Sequence, residues 1–162
     1  MISRSVKYFV LTVLLVILQT KLMQLLSLEG ITPDILTIWI VYIALKEGQL
    51  SATLWGFCIG LFFDFVTGTF IGLAALTKTL SGFIAGYFYN ENKTAHTLSS
   101  YRFLIVVLTV SFIHNTAYFI IYTRGTDIGI MHAVLQFGLA TTFYTTIWSL
   151  LPMFGFARKY LS

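Results

Sequence analysis

Six apolar segments follow one another along this chain with almost no charge inside them. A helix needs about 20 predominantly apolar residues to cross the hydrocarbon core of a bilayer. The segments run over about 6–26, 33–45, 50–66, 70–89, 103–122 and 130–156. Composition closes off a soluble alternative. Charged residues make up 10% of the chain and hydrophobic ones 57%, whereas a soluble domain carries about a quarter charged residues. The expected fold class is therefore all-α and integral to the membrane. We expect a six-transmembrane-helix bundle forming a single polytopic domain over residues 1–162.

The second segment is the shortest. Thirteen residues at 1.5 Å rise cover only about 20 Å. It starts earlier, near Leu28, or crosses a thinned region, or is re-entrant. Pro33 fits the first turn of a helix, where its missing N–H costs nothing. Asp34 beside it suits the positive end of the helix dipole. The first segment, preceded by Arg4 and Lys7, resembles a signal peptide. No small-residue cleavage site follows, and the apolar run continues past Gln19, Thr20 and Lys21, so it reads as a retained helix.

Lysine and arginine in short loops set orientation. With the N-terminus inside, the inner set is Arg4, Lys7, Lys46, Lys93, Arg102, Arg158 and Lys159, and the outer loops hold only Arg124. That asymmetry supports an even number of crossings with both termini cytoplasmic, in the cytoplasmic (inner) membrane. The loops are too short to form a soluble domain. Function then resides in the bundle or in its partners.

The net charge of +4 does not point to nucleic acid, because the basic residues are scattered and form no stripe. The lone cysteine, Cys58, reads as a small buried hydrophobe, and no metal-ligand cluster exists. The chain has no G-x-S-x-G elbow, no H-E-x-x-H and no phosphate-cradling loop. Asp64, His114 and His132 have no spacing that singles them out as a triad. Neither catalysis nor a cofactor is expected.

Ionisable groups inside spanning segments are expensive and face the bundle interior. Gly56, Gly60, Asp64 and Gly68 recur every four residues and share one helix face. Ala74, Lys78, Gly82 and Gly86 form a matching face on the next segment. Small residues at this spacing let helices approach closely. One of these faces is expected inside the bundle and the other is free for a partner. Asp64 lies about 21 Å along its segment and Lys78 about 12 Å along the next, at 1.5 Å per residue. The turn Thr67-Gly68-Thr69 makes the two segments an antiparallel pair. We therefore expect an Asp64–Lys78 ion pair. Lys21 is the alternative partner for Asp64, or it snorkels to the outer surface. His114 and Asn115 are candidates for hydrogen bonds between helices, with ligand contact as the other reading. Gln136, Thr141, Thr142, Thr145, Thr146 and Ser149 give the last segment a mildly polar face, with hydroxyls able to return to the i−4 carbonyl.

The stretch from Pro33 to about Gly86 carries a pattern: Pro-Asp, then Gly-Phe-x-x-Gly-x-x-x-Asp-x-x-Thr-Gly-x-x-x-Gly, ending at Gly72. This order resembles the MreD family of rod shape-determining proteins. The resemblance implies a non-enzymatic scaffold or regulator in the peptidoglycan elongation machinery. It implies direct binding to MreC and, through it, links to the MreB filament and to RodA with its transpeptidase partner. Gly56, Gly60, Asp64, Gly68 and Gly72 carry over as the family's motif, read as packing and polar anchoring. The resemblance also implies a fold similar to the S components of energy-coupling-factor transporters. That gives the alternative function, a vitamin-binding transporter subunit. Such proteins usually present alanines at four-residue spacing on the first helix, and the run Val10–Val16 has none. Self-association into a homo-oligomer stays open.

Overall fold

Pro33 and Asp34 set where the second helix begins, and that helix organises the bundle. In the computed structural model, residues 2–25, 27, 31–68, 70–125 and 129–161 are described. The helices are α1 (Ile2–Leu25), α2 (Ile35–Glu47), α3 (Gln49–Thr67), α4 (Leu73–Gly86), α5 (Thr94–Leu98), α6 (Tyr101–Tyr122), α7 (Ile130–His132), α8 (Leu139–Trp148) and α9 (Leu150–Leu161). A π-helical stretch, Ala133–Gly138, joins α7 to α8. Among the described residues, three stretches are long and apolar enough to cross a membrane: Gln49–Thr67, Tyr101–Tyr122 and Ile130–Lys159. Leu73–Gly86 is a shorter apolar helix.

Helix α2 is apolar all round, so it is buried all round. Leu36, Ile40, Val41, Ile43 and Ala44 are wholly inaccessible. Asp34 caps it: one carboxylate oxygen accepts the Thr37 N–H at 3.0 Å, and the other accepts the Thr37 hydroxyl at 2.7 Å. The helix starts at Ile35, two residues later than Pro33, because Asp34 takes the capping position; Leu28 lies outside the described residues. At the other end a single residue, Gly48, closes α2 and opens α3. Its φ of 90° is the left-handed region that suits glycine.

Helices α3 and α4 form the most extensive pairing in the bundle. Gly68 ends α3 in the left-handed conformation, its N–H bonded to the Asp64 carbonyl at 3.0 Å. Gly72, at φ 100°, opens α4. The fourth segment is thus shorter than the expected 70–89, because Gly72 caps it at one end and the chain turns at Tyr87 and Phe88 at the other. Thr69, part of the expected turn, lies outside the described residues.

The sixth segment runs as one helical span, Ile130–Lys159, but it is not regular α-helix throughout. Its π-helical stretch follows α7, and a second interruption falls at Ser149. Pro152 explains the latter: it lacks an N–H and crowds the carbonyl four residues back. Ser149 sends its N–H to both Thr145 and Thr146 carbonyls, at 3.0 and 3.2 Å.

Outside, the molecule is apolar. Phe9, Leu14, Leu54, Phe57, Phe65, Phe143 and Phe154 are all exposed, a surface suited to lipid rather than water. Cys58 is among the exposed residues, not buried as expected, because α3 turns its glycine face inward and its bulky face outward. Basic residues gather at one end. The Thr94 hydroxyl donates to the Leu45 carbonyl at 3.0 Å, bringing the Lys93 turn against the end of α2 beside Lys46. Helix α5 packs on α9, which carries Arg158 and Lys159.

Candidate functional site

The α3–α4 glycines interlock with each other. A Cβ on Gly56 would overlap the Lys78 carbonyl, and one on Gly60 would overlap the Ala74 carbonyl. Reciprocally, Gly82 lies against the Ala52 carbonyl and Gly86 against Gln49. Gly56 and Gly60 meet Gly82 and Gly86 across this seam, so neither face is left over for a partner, against the expectation of one free face. Each is consumed by the other.

Asp64, 1% exposed, sits at the end of this seam. Its carboxylate accepts N–H groups from Gly72 at 2.8 Å, Ala74 at 3.1 Å and Ala75 at 3.2 Å. These are the donors that the first turn of any helix leaves without intrahelical partners. A carboxylate there gains both charge-assisted hydrogen bonds and the positive end of the helix dipole. Asp64 is therefore the cap of the next helix, supplied across the turn. It is not the partner of Lys78.

Lys78 pairs with Asp34 instead. Its Nζ lies 2.6 Å from Asp34 Oδ2. The expected Asp64–Lys78 pair fails for a steric reason: the glycine seam runs α4 past α3 so closely that Lys78 reaches across to the start of α2. His114 Nε2 lies 3.3 Å from the same carboxylate oxygen, and His114 Nδ1 lies 3.1 Å from the Ser81 hydroxyl. Lys78 is 2% exposed and His114 5%. A buried charge pair is tolerated only when its remaining hydrogen-bonding capacity is met; here Thr37 and His114 meet much of it, and Ser81 holds the far nitrogen of His114.

Asp34 also ties together the two ends of the chain. Its N–H donates to the Thr145 hydroxyl on α8 at 2.9 Å. Gln19 on α1 accepts the Ile35 N–H and donates to the Pro33 carbonyl, both at 2.9 Å. Pro33 and Asp34 thus connect α1, α4, α6 and α8. Asn115 donates to the Thr142 hydroxyl at 2.9 Å. Lys21 is exposed and makes no ion pair among the described residues. His132 is exposed as well and stands apart from this cluster.

The cluster borders a cavity of about 380 Å³ whose lining includes Gln19, Asp34, Lys78, His114, Asn115 and Tyr118. It lies at the end of the bundle opposite the Lys93 turn, among the C-terminal half of α6 and the N-terminal ends of α2 and α4. Among the described residues no group of acidic, histidine or cysteine side chains is arranged to hold a metal ion. The Ser81 hydroxyl stands beside a base, His114, but it is 1% exposed, lies 2.9 Å from the Thr77 carbonyl, and is not among the residues that line the cavity. What it can do is fix four helices in register and present polar groups to a cavity.

Sequence reasoning missed Gln19, Ser81, Thr37 and Tyr118. Two signals were present. Ser81 is three residues after Lys78 and Tyr118 four after His114, so each shares its neighbour's helix face.

The family model described as rod shape-determining protein MreD matches residues 3–160. The chain belongs to the MreD family. No curated protein and no solved structure matched it. Family membership and the apolar helices make this a membrane protein with a role in rod shape determination. In MreD terms, the motif residues Gly56, Gly60, Asp64, Gly68 and Gly72 divide into two jobs, with Gly82 and Gly86 facing them from α4. Gly56, Gly60, Gly82 and Gly86 close the α3–α4 seam, while Asp64, Gly68 and Gly72 build the turn that ends it.

Proposed function

We propose that this protein is a non-enzymatic scaffold of the peptidoglycan elongation complex, embedded in the cytoplasmic membrane with both termini inside and binding MreC directly. Through MreC it connects to MreB and to RodA with its transpeptidase partner. The observation that carries the reading is the family match over almost the whole chain. The architecture agrees with it. The buried polar residues lock helices together. With both glycine faces buried in the seam, MreC must meet the apolar outer surface, through side-chain packing in lipid. The basic residues gathered near the Lys93 turn support an inner location for that end. Six crossings remain the proposed count, with the short α2 and α4 completing the set inside the bundle.

The polar cavity favours a second reading, the S component of an energy-coupling-factor vitamin transporter, to which the proposed fold is similar. One experiment separates the two. The tagged protein is purified from its native membranes and its companions identified. Recovery of MreC and elongation proteins supports the scaffold. Recovery of an energy-coupling subunit with ATPases, and no MreC, overturns it.

A further inference from the structure

One wall of the cavity runs on from His114 of the ion-pair cluster to groups that the cluster does not use. Along α6, His114, Tyr118 and Tyr122 recur every four residues and stack in sequence. Their ring centroids are 6.3 and 5.8 Å apart, with interplanar angles of 25° and 12°. All three border the cavity. The hydroxyls of Tyr118 and Tyr122 bond to no described residue.

Asn115, 5% exposed, adds a directed acceptor. Its orientation follows from counting protons. The Thr142 hydroxyl has one proton and gives it to the Gly138 carbonyl at 2.7 Å. It can only accept from Asn115, so the amide NH2 faces Thr142 at 2.9 Å. Asn115 Oδ1 is left without a donor among the described residues, in a side chain that lines the cavity. That oxygen is open to the cavity, so the site favours an occupant that supplies an N–H.

Charge decides the rest. The carboxylate and the ammonium on the wall neutralise each other at 2.6 Å. A charged ligand would have to break that pair or be buried unpaired, and both are costly. The remaining lining adds two rings, Phe63 and Phe119, and the uncharged polar groups of Gln19, Thr32 and Thr141. About 380 Å³ is near the lower end of small-molecule sites.

We propose that this cavity is a binding site for a small, uncharged, planar heterocycle that carries an N–H donor beside a carbonyl acceptor. The ring packs against the side of the Tyr118–Tyr122 stack. The N–H donates to Asn115 Oδ1, and the Tyr118 hydroxyl donates to the ligand's carbonyl. Binding there requires no partner protein, so it stands or falls separately from the scaffold reading.

Nicotinamide serves as the neutral probe and nicotinate as its anionic isostere. Both are titrated into the purified full-length protein in detergent, with saturation-transfer NMR and calorimetry as readouts. Nicotinamide is expected to bind saturably, and nicotinate at least tenfold more weakly. Tyr118→Phe keeps the stacked ring and removes one hydrogen bond, so it should weaken nicotinamide about fivefold. Asn115→Leu should abolish binding; because it also removes the Thr142 contact, Tyr118→Phe keeps the test independent of folding. Absence of saturable nicotinamide binding overturns the proposal. So does nicotinate binding as tightly as nicotinamide, or an unchanged affinity in Tyr118→Phe.

Discussion

Asp34 and Asp64 are two buried carboxylates neutralised by different means. Asp64 uses the N–H groups of the next helix, and Asp34 uses the Lys78 ammonium. The difference is testable by charge removal. Asp34→Asn alone leaves Lys78 buried and unpaired, and Lys78→Met alone leaves Asp34 with only Thr37 and His114. Each should cost about 3–5 kcal/mol, whereas the double substitution should recover most of the loss. Thermal unfolding in detergent measures all three. Exchanging Asp64 with Lys78 should give no recovery, because Asp64 serves backbone donors that a lysine cannot satisfy. Rescue by that exchange would sink the assignment. Asp64 was legible in the sequence as a buried group because its four-residue spacing from Gly56 and Gly60 is a local fact. Its role as a cap was not, since it depends on where α4 starts. The Asp34–Lys78 pair was further out of reach. It joins residues 44 apart, and only the packing of α4 against α2 brings them together.

At the scale of elements, the glycine seam fixes the distance between α3 and α4. Gly60 faces the Ala74 carbonyl, which is backbone and cannot rotate away as a flexible side chain would. Gly60→Ala should therefore push the helices apart and destabilise by about 1–3 kcal/mol, as overpacking does, with Gly60→Leu worse. Gly155, with nothing within 4 Å of an added Cβ, is the control, and Gly155→Ala should leave the melting temperature unchanged. Equal stability of Gly60→Ala and wild type would remove the close-packing argument. The seam was readable from the sequence because glycine repeats report a surface that must be approached. The helix bounds were less so. Hydropathy alone extended the fourth segment to 70–89, while glycine dihedrals and the Asp64 cap shorten it to Leu73–Gly86. The break at Ser149 was hidden for a similar reason. Leucine and phenylalanine on either side of Pro152 keep the segment apolar, so hydropathy does not register the missing N–H.

At the scale of the whole molecule, one end of the bundle gathers basic residues and the other holds the cavity and Arg124. If the positive-inside rule sets orientation, the Lys93 turn faces the cytoplasm and the cavity opens outward. Single cysteines decide this. In a Cys58→Ser background, Lys93→Cys and Arg124→Cys each place a thiol in an exposed position at opposite ends. A membrane-impermeant maleimide added to spheroplasts should label Arg124→Cys at once, and Lys93→Cys only after permeabilisation. Labelling of both without permeabilisation would mean an even number of crossings between them, and the proposed topology would fail. The inverse pattern would turn the molecule over, and the cavity would then draw its occupant from the cytoplasm. Orientation thus settles more than a diagram. The α6 ring wall, Asn115 and the Asp34–Lys78 pair all lie toward the Arg124 end. The side on which that thiol reacts is the side from which any ligand of the cavity must come.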